Sequence, residues 1–157
     1  MNYKKHHLEE TIEAESFSLI AIHTSLEDFQ LAYFINKNCS TFFKRNHDLF
    51  SSHLKTSIKG MVWENSWDKD SYFHLFSNKY SLEKGTSELV SELFPGKVIE
   101  VKNLVLPEFR EVNYFIKKQV DISDDSFIKK INKLPGIQFA YCVNENNIKS
   151  NKNIIFD

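Results

Sequence analysis

A proline separates two strand-like segments in the second half of the chain. Residues 98–106 and 112–120 are rich in Val, Ile, Leu and aromatic side chains, and Pro107 and Glu108 follow the first of them. Proline fixes φ, has no N–H donor and holds the preceding residue in extended geometry, so one continuous strand is excluded. We predict a turn at Pro107, in which Glu108 accepts backbone N–H groups.

The strand that resumes after this turn is predicted to alternate between two environments. Successive side chains of a strand point to opposite faces. We therefore expect Val112 and Tyr114 on one face, and Asn113 and Phe115 on the other.

The remaining apolar patterns predict a small α+β domain. Strands are expected at 17–23, 41–49, 60–64, 71–76 and 137–143, and helices at 26–38, 88–94 and 121–134. The order is β-α-β, then antiparallel strands, then β-α-β. This order indicates a mainly antiparallel sheet with two helices on one face, built from ferredoxin-like or ACT-like βαβ units with an inserted hairpin. We expect one domain over residues 1–157, with a polar arm at 1–15 and a polar C-terminal tail at 144–157.

Net charge, apolar stretches and cysteine spacing limit the cellular compartment and the kinds of partner that we expect for this chain. The net charge is −1, so no overall field attracts nucleic acid or an anionic membrane. Nucleic acid stays open as a partner only through a local basic face, for which composition gives no support. The stretch Leu19–Ile22 is too short to span a bilayer, and the first 15 residues lack the apolar core of a secretory signal. Cys39 and Cys142 are far apart and have no metal or redox spacing. We expect a soluble cytoplasmic protein.

The sequence contains no recognisable catalytic or cofactor motif. The six histidines show no metal-ligand spacing, and neither cysteine has a basic neighbour to activate it. The four glycines form no phosphate-binding turn between a strand and a helix. We therefore predict no metal and no cofactor, and we favour a binding role over an enzymatic one.

The candidate binding residues are polar side chains in the two most distinctive segments. Arginine is rare, with two residues against eighteen lysines, and its planar guanidinium binds carboxylates and phosphates in two-pronged geometry. Arg45 is expected either to form an internal ion pair with Asp48 or Glu108, or to recognise a partner's carboxylate or phosphate. The full set of candidates is Arg45, Asp48, Glu108, Arg110 and Tyr114.

The segment from Leu106 to Tyr114, LPEFREVNY, resembles the hallmark of the IPExxxVDY family, small uncharacterised proteins of Bacteroidota. The stretches at 28–49 and 137–143 resemble that family's N-terminal and closing segments. Leucine replaces isoleucine at Leu106, and Asn113 stands where the family has aspartate. An amide at Asn113 argues against a general-base or metal-ligand role there. The resemblance implies a housekeeping protein with no established activity.

The sequence favours two classes of function, and a third class, an enzyme, is the least favoured. The first is a non-enzymatic binding or adaptor module that has a protein partner and serves RNA metabolism or translation. The alternative is an ACT-like regulatory domain that binds a small ligand. An enzyme would require Arg45, Glu108 and Tyr114 to converge in one cleft. The sequence leaves the oligomeric state open.

Overall fold

A computed structural model describes residues 16–64, 72–83, 100–119 and 124–157. The predicted arm at 1–15, the helix at 88–94 and the turn between the strands at 60–64 and 71–76 lie outside these ranges. The elements are β1 (Ser18–Thr24), α1 (Asp28–Cys39), β2 (Leu49–Ser51), β3 (Thr56–Ile58), β4 (Gly60–Glu64), β5 (Tyr72–Ser77), β6 (Lys79–Glu83), β7 (Glu100–Leu104), β8 (Tyr114–Lys118), α2 (Asp124–Asn132) and β9 (Ile137–Cys142). Two short 3-10 turns follow, at Glu145–Asn147 and Asn151–Ile154.

The main sheet has five strands in the order β4-β5-β8-β1-β9, and every neighbouring pair is antiparallel. Because β1 and β5 are both antiparallel to β8, they run in the same direction. The strands β8 and β9 are likewise both antiparallel to β1. The units β1-α1-β5 and β8-α2-β9 are therefore two split βαβ units, the ferredoxin-like arrangement. The fold class predicted from the sequence is confirmed, with β4 inserted as an edge strand.

Both faces of the sheet are covered, and β1 shows this directly. Its residues Leu19, Ile20, Ala21 and Ile22 are all at most 1% exposed. Ile20 and Ile22 pack on one side of the sheet, whereas Leu19 and Ala21 pack on the other. A central strand covered on both sides consists of consecutive apolar residues, which explains the apolar stretch Leu19–Ile22 in the sequence.

The two helices cover one side, which we call the helix face. Leu31 and Ile35 of α1 pack there with Ile131 of α2 and with Leu134 just beyond it. The turn after α2 contains Gly136, whose φ of 79° lies in the left-handed region that favours glycine. None of the helices in the described ranges is long and apolar enough to cross a membrane.

The opposite side, which we call the tail face, is covered by irregular chain. Its layer comprises the β2–β3 ribbon, the corner at 105–112 and the C-terminal tail at 144–157. Leu106 and Ile154 are completely buried against Phe115 of β8. The tail at 144–157 is rich in polar residues, and Ile154 near its end provides an apolar anchor in the core.

The prediction that Val112 and Tyr114 share a face is wrong. Val112 packs on the tail face, whereas Tyr114 packs against the helix face. The reason is that β8 begins only at Tyr114, after turn geometry that reaches Glu111. Alternation therefore does not extend back to Val112.

Each edge strand of the sheet has one residue whose outward backbone groups are paired by a neighbouring segment. On β9, the Asn132 side chain donates to the Ala140 carbonyl at 3.0 Å and accepts from the Ala140 N–H at 2.8 Å. On β4, the backbone of Lys44 exchanges two hydrogen bonds of 3.0 Å with Val62. Occupied edge groups are not available to pair with another chain, so both contacts protect against edge-to-edge association.

Candidate functional site

Glu108 fastens the corner to the C-terminal tail. Its carboxylate accepts the backbone N–H groups of Lys149 and Ser150, both at 2.8 Å, and the Ser150 hydroxyl at 3.0 Å. The sequence predicted backbone N–H donors for this acid, but in the turn towards Val112. Apart from the backbone N–H of Glu108 itself, the donors that its side chain binds come from a segment about forty residues further along the chain.

The electrostatics of Glu108 agree with a structural role. Burial alone would raise the pKa of its carboxyl group, but hydrogen bonds from the backbone N–H groups of Glu108, Ser150 and Lys149 and from the Ser150 hydroxyl lower it below its ordinary value. The carboxylate is therefore ionised and fully engaged at neutral pH.

Asn78 also holds the corner at 105–112, a role that was not predicted from the sequence. Its side chain is completely buried, donates to the carbonyls of Phe109 and Val112, and accepts the Leu106 N–H at 2.9 Å. The corner cannot pair with a strand because it turns, so its backbone groups need a side-chain partner. An amide supplies both donor and acceptor.

The two arginines lie at different places. Arg45 forms an ion pair with Asp28 at the start of α1, and not with Asp48 or Glu108. Asp48 and Arg110 are both exposed. The Arg45 side chain is itself 45% exposed, so the pair fixes the loop against the helix and contributes little stability.

Tyr114 and Asn113 tie β8 to the segment before α1. The Tyr114 hydroxyl donates to the Leu26 carbonyl at 2.9 Å. Burial raises the pKa of Tyr114 to about 12, and the nearby carboxylates Asp28 and Glu27 add to the shift. The Asn113 side chain accepts the Thr24 N–H at 2.9 Å. Both residues of the motif therefore have architectural contacts.

The candidate residues do not form one cleft. Arg45 and Tyr114 both lie near the start of α1, whereas Glu108 is bound to the tail on the opposite face of the sheet. An enzyme built on Arg45, Glu108 and Tyr114 would require them to meet in one cleft, and these three residues do not meet. Cys142 offers no activated nucleophile either, because burial raises the pKa of its thiol more than the Ser18 hydrogen bond lowers it.

The outer surface of α1 carries exposed aromatic side chains. Phe29 is 63% exposed and Tyr33 is 59% exposed. Residues four apart share a helix face, and Lys37 continues the row with its Nζ 5.9 Å from the centroid of the Tyr33 ring. We call Phe29, Tyr33 and Lys37 the α1 stripe.

The tail face contains a pocket of about 220 Å³ at the β4–β5 end of the sheet. Two cross-strand pairs form its floor, Val62 opposite His74 and Glu64 opposite Tyr72. The other residues that line it are His47, Leu49, Phe156 and Asp157.

Three rings stand together in this pocket. The centroid of His74 lies 4.6 Å from that of Tyr72 and 5.3 Å from that of Phe156. Burial, with the charges of Lys117 and His47, lowers the pKa of His74 to about 4, so its imidazole is neutral at pH 7. Its Nδ1 is buried without a hydrogen-bond partner among the described residues.

The pocket could not be predicted from the sequence, because its residues come from four separate segments of the chain. One signal was available: alternation in β5 places Tyr72 and His74 on the same face. Nothing in the sequence indicated that the tail would bring Phe156 beside them. Within the described ranges, no group of three or more His, Cys, Asp or Glu side chains is arranged to hold a metal ion.

Comparisons with family models, with curated proteins and with solved structures return no match to this chain.

Proposed function

We propose that this chain is a non-enzymatic cytoplasmic binding module that docks a protein partner on the α1 stripe. The observation that supports this docking surface most directly is the exposure of two large aromatic side chains. Phe29 is 63% exposed and Tyr33, one helical turn further along, is 59% exposed. Aromatic residues are enriched at protein interfaces, where they anchor into pockets of the partner.

The stripe stands on a well-anchored helix. The Tyr114–Leu26 hydrogen bond holds the segment just before α1, and the exposed Arg45–Asp28 ion pair adds little to it. Leu31 and Ile35 bury the opposite side of the helix in the core. A rigid surface loses little conformational entropy when it binds, which favours docking. Lys37 beside Tyr33 suits a partner that places an acidic group next to its apolar pocket.

Membership of the IPExxxVDY family is part of the proposal, on the resemblance of Leu106-Pro107-Glu108 and Val112-Asn113-Tyr114. The housekeeping setting that this resemblance implies motivates a partner from RNA metabolism or translation. A structure of a family member with aspartate at the position of Asn113 tests the assignment. We expect its carboxylate to accept the N–H at the position of Thr24, as Asn113 does here. A corner with a different course would contradict the assignment.

Affinity capture from lysate of the native host tests the docking surface. We compare the unaltered chain, the double variant Phe29→Ala/Tyr33→Ala, and the control Phe50→Ala, whose ring on β2 is 43% exposed. We expect a stoichiometric protein partner with the unaltered chain and the control, and at least a tenfold loss with the double variant.

Capture that is equal for all three proteins, or absent from all, would overturn the proposal. Thermal unfolding of each variant is measured alongside. Because the substituted rings are largely exposed, their removal is expected to leave the fold intact.

A further inference from the structure

The pocket over β4 and β5 combines aromatic walls with hydrogen-bond acceptors. Tyr72, His74 and Phe156 contribute the rings, and Glu64 and Asp157 contribute carboxylates at the rim. We propose that this pocket binds a small planar nitrogen heterocycle with an amino group, of the size of a nucleobase. The pocket lies on the face of the sheet opposite the α1 stripe, so the proposal is independent of the protein partner.

The size of the pocket supports a single ring system. A cavity of about 150 Å³ in another protein holds benzene. At about 220 Å³, this pocket has room for a bicyclic ring such as adenine, which has ten non-hydrogen atoms. Planar rings pack on aromatic side chains, stacked or edge-to-face, at centroid distances of about 4.5–7 Å. The pocket's own rings lie within this range, with Tyr72 tilted against His74 and Phe156 edge-on to it.

The polar groups select a ligand that donates hydrogen bonds. Carboxylates are acceptors only, and the His74 imidazole, neutral at pH 7, has one acceptor nitrogen. No lysine or arginine forms an ion pair with Glu64 or Asp157 in the part of the chain that the structure describes. The Ser52 hydroxyl donates to one oxygen of Asp157, which uses part of the acceptor capacity of that carboxylate, so Glu64 is the acceptor chosen for the test below.

The same charges discriminate against phosphate. A nucleoside monophosphate would bring a dianion towards the two rim carboxylates, and like charges repel. The ammonium group of Lys117 is buried beside the Phe156 ring and already donates to the Ile154 carbonyl, so it is not placed at the rim to offset this repulsion. The free base is therefore the expected ligand, in preference to its nucleotide.

Isothermal titration with matched probes tests this inference. Adenine is compared with purine, which has the same rings without the amino group, and with adenosine 5′-monophosphate. We expect adenine to bind roughly tenfold more tightly than purine, the effect of one hydrogen bond to a charged acceptor. Adenosine 5′-monophosphate is expected to bind more weakly than adenine.

Two exposed glutamates provide the matched variants. Glu64→Gln removes the rim charge and is expected to weaken adenine binding roughly tenfold. Glu145→Gln, in the tail away from the pocket lining, is expected to leave it unchanged. Adenine that does not bind at millimolar concentration would overturn the proposal. So would an affinity that is equal for adenine and purine or unaffected by Glu64→Gln, and so would tighter binding of the nucleotide.

Discussion

The two faces of the central sheet are buried by different means. On the helix face, α1 and α2 satisfy most of their own backbone groups and are buried mainly through apolar contacts, such as those of Leu31 and Ile131. On the tail face, the corner and the tail leave backbone N–H and C=O groups that neither a helix nor a strand can pair. Polar side chains complete them, with Asn78 and Glu108 at the corner. A sheet face covered by irregular chain therefore requires polar side chains that pair the free backbone groups, in addition to apolar burial.

The largest expected effect comes from placing leucine at Asn78. Asn78→Leu fills a similar volume but leaves the Leu106 N–H and the carbonyls of Phe109 and Val112 without their partner. Each unsatisfied buried group costs about 1–3 kcal/mol, so we expect the free energy of unfolding to fall by about 4 kcal/mol. Urea denaturation measures it.

The control for this substitution is Ile35→Leu on the helix face. A volume-conserving apolar exchange costs less than about 1.5 kcal/mol, because no hydrogen bond depends on that side chain. If the two variants lose equal stability, the distinction between the faces is wrong.

The second largest effect is expected in the pH dependence of the free energy of unfolding, and it arises from His74 on the tail face. The folded pKa of His74 is about 4, whereas an exposed imidazole titrates near pH 6.5. Between these values the unfolded chain binds more protons, so the free energy of unfolding falls as the pH is lowered. From pH 7 to pH 5 we expect a loss of about 2 kcal/mol from this group, measured by urea denaturation at each pH.

His74→Phe separates this contribution from the others, since it keeps a ring beside Tyr72 and Phe156. The pKa of His23 is also lowered by burial, and that contribution persists in the variant. The lowered pKa of Glu108 also reduces the free energy of unfolding as the pH falls towards the ordinary pKa of a glutamate, and that contribution too persists in the variant. An unchanged pH dependence in His74→Phe would show that its imidazole is not the responsible group.

The smallest effect is expected at Glu108. Glu108→Gln keeps one carbonyl acceptor for the N–H groups of Lys149 and Ser150 but loses the charge that strengthens these bonds. We expect a loss of about 1 kcal/mol in the free energy of unfolding and faster amide exchange at both N–H groups, measured by NMR. Glu145→Gln is the matched control. Exchange at these two amides that does not change would mean that the carboxylate is not what holds the tail.

Much of the regular structure was predictable from local pattern. The strand at Gly60–Glu64 has the predicted bounds, and β1, α1, α2 and β9 lie within a few residues of theirs. Their apolar side chains repeat at the period of the element, and this period is visible in the sequence. The short strand predicted within 41–49 is reduced to one bridge, from Lys44 to Val62, and β2 begins only at Leu49. The ribbon β2–β3 was not predicted, because three-residue strands are too short to show alternation.

The candidate site was predicted much less well than the fold. Pro107 indicated a turn, and Glu108 was expected to accept backbone N–H groups, but neither residue reveals that the donors are Lys149 and Ser150. The same limit applies to Asn78, which looks like any other polar residue between two strands.

The sequence by itself determined where this chain forms helices and strands and where Pro107 forces it to turn, since these depend on local sterics and on periodic burial. Tertiary structure decided which polar side chains are architectural and which surround a pocket. His47, His74 and Phe156 meet only because the tail folds back over the sheet. Such contacts depend on the path of the whole chain, and no local pattern encodes that path.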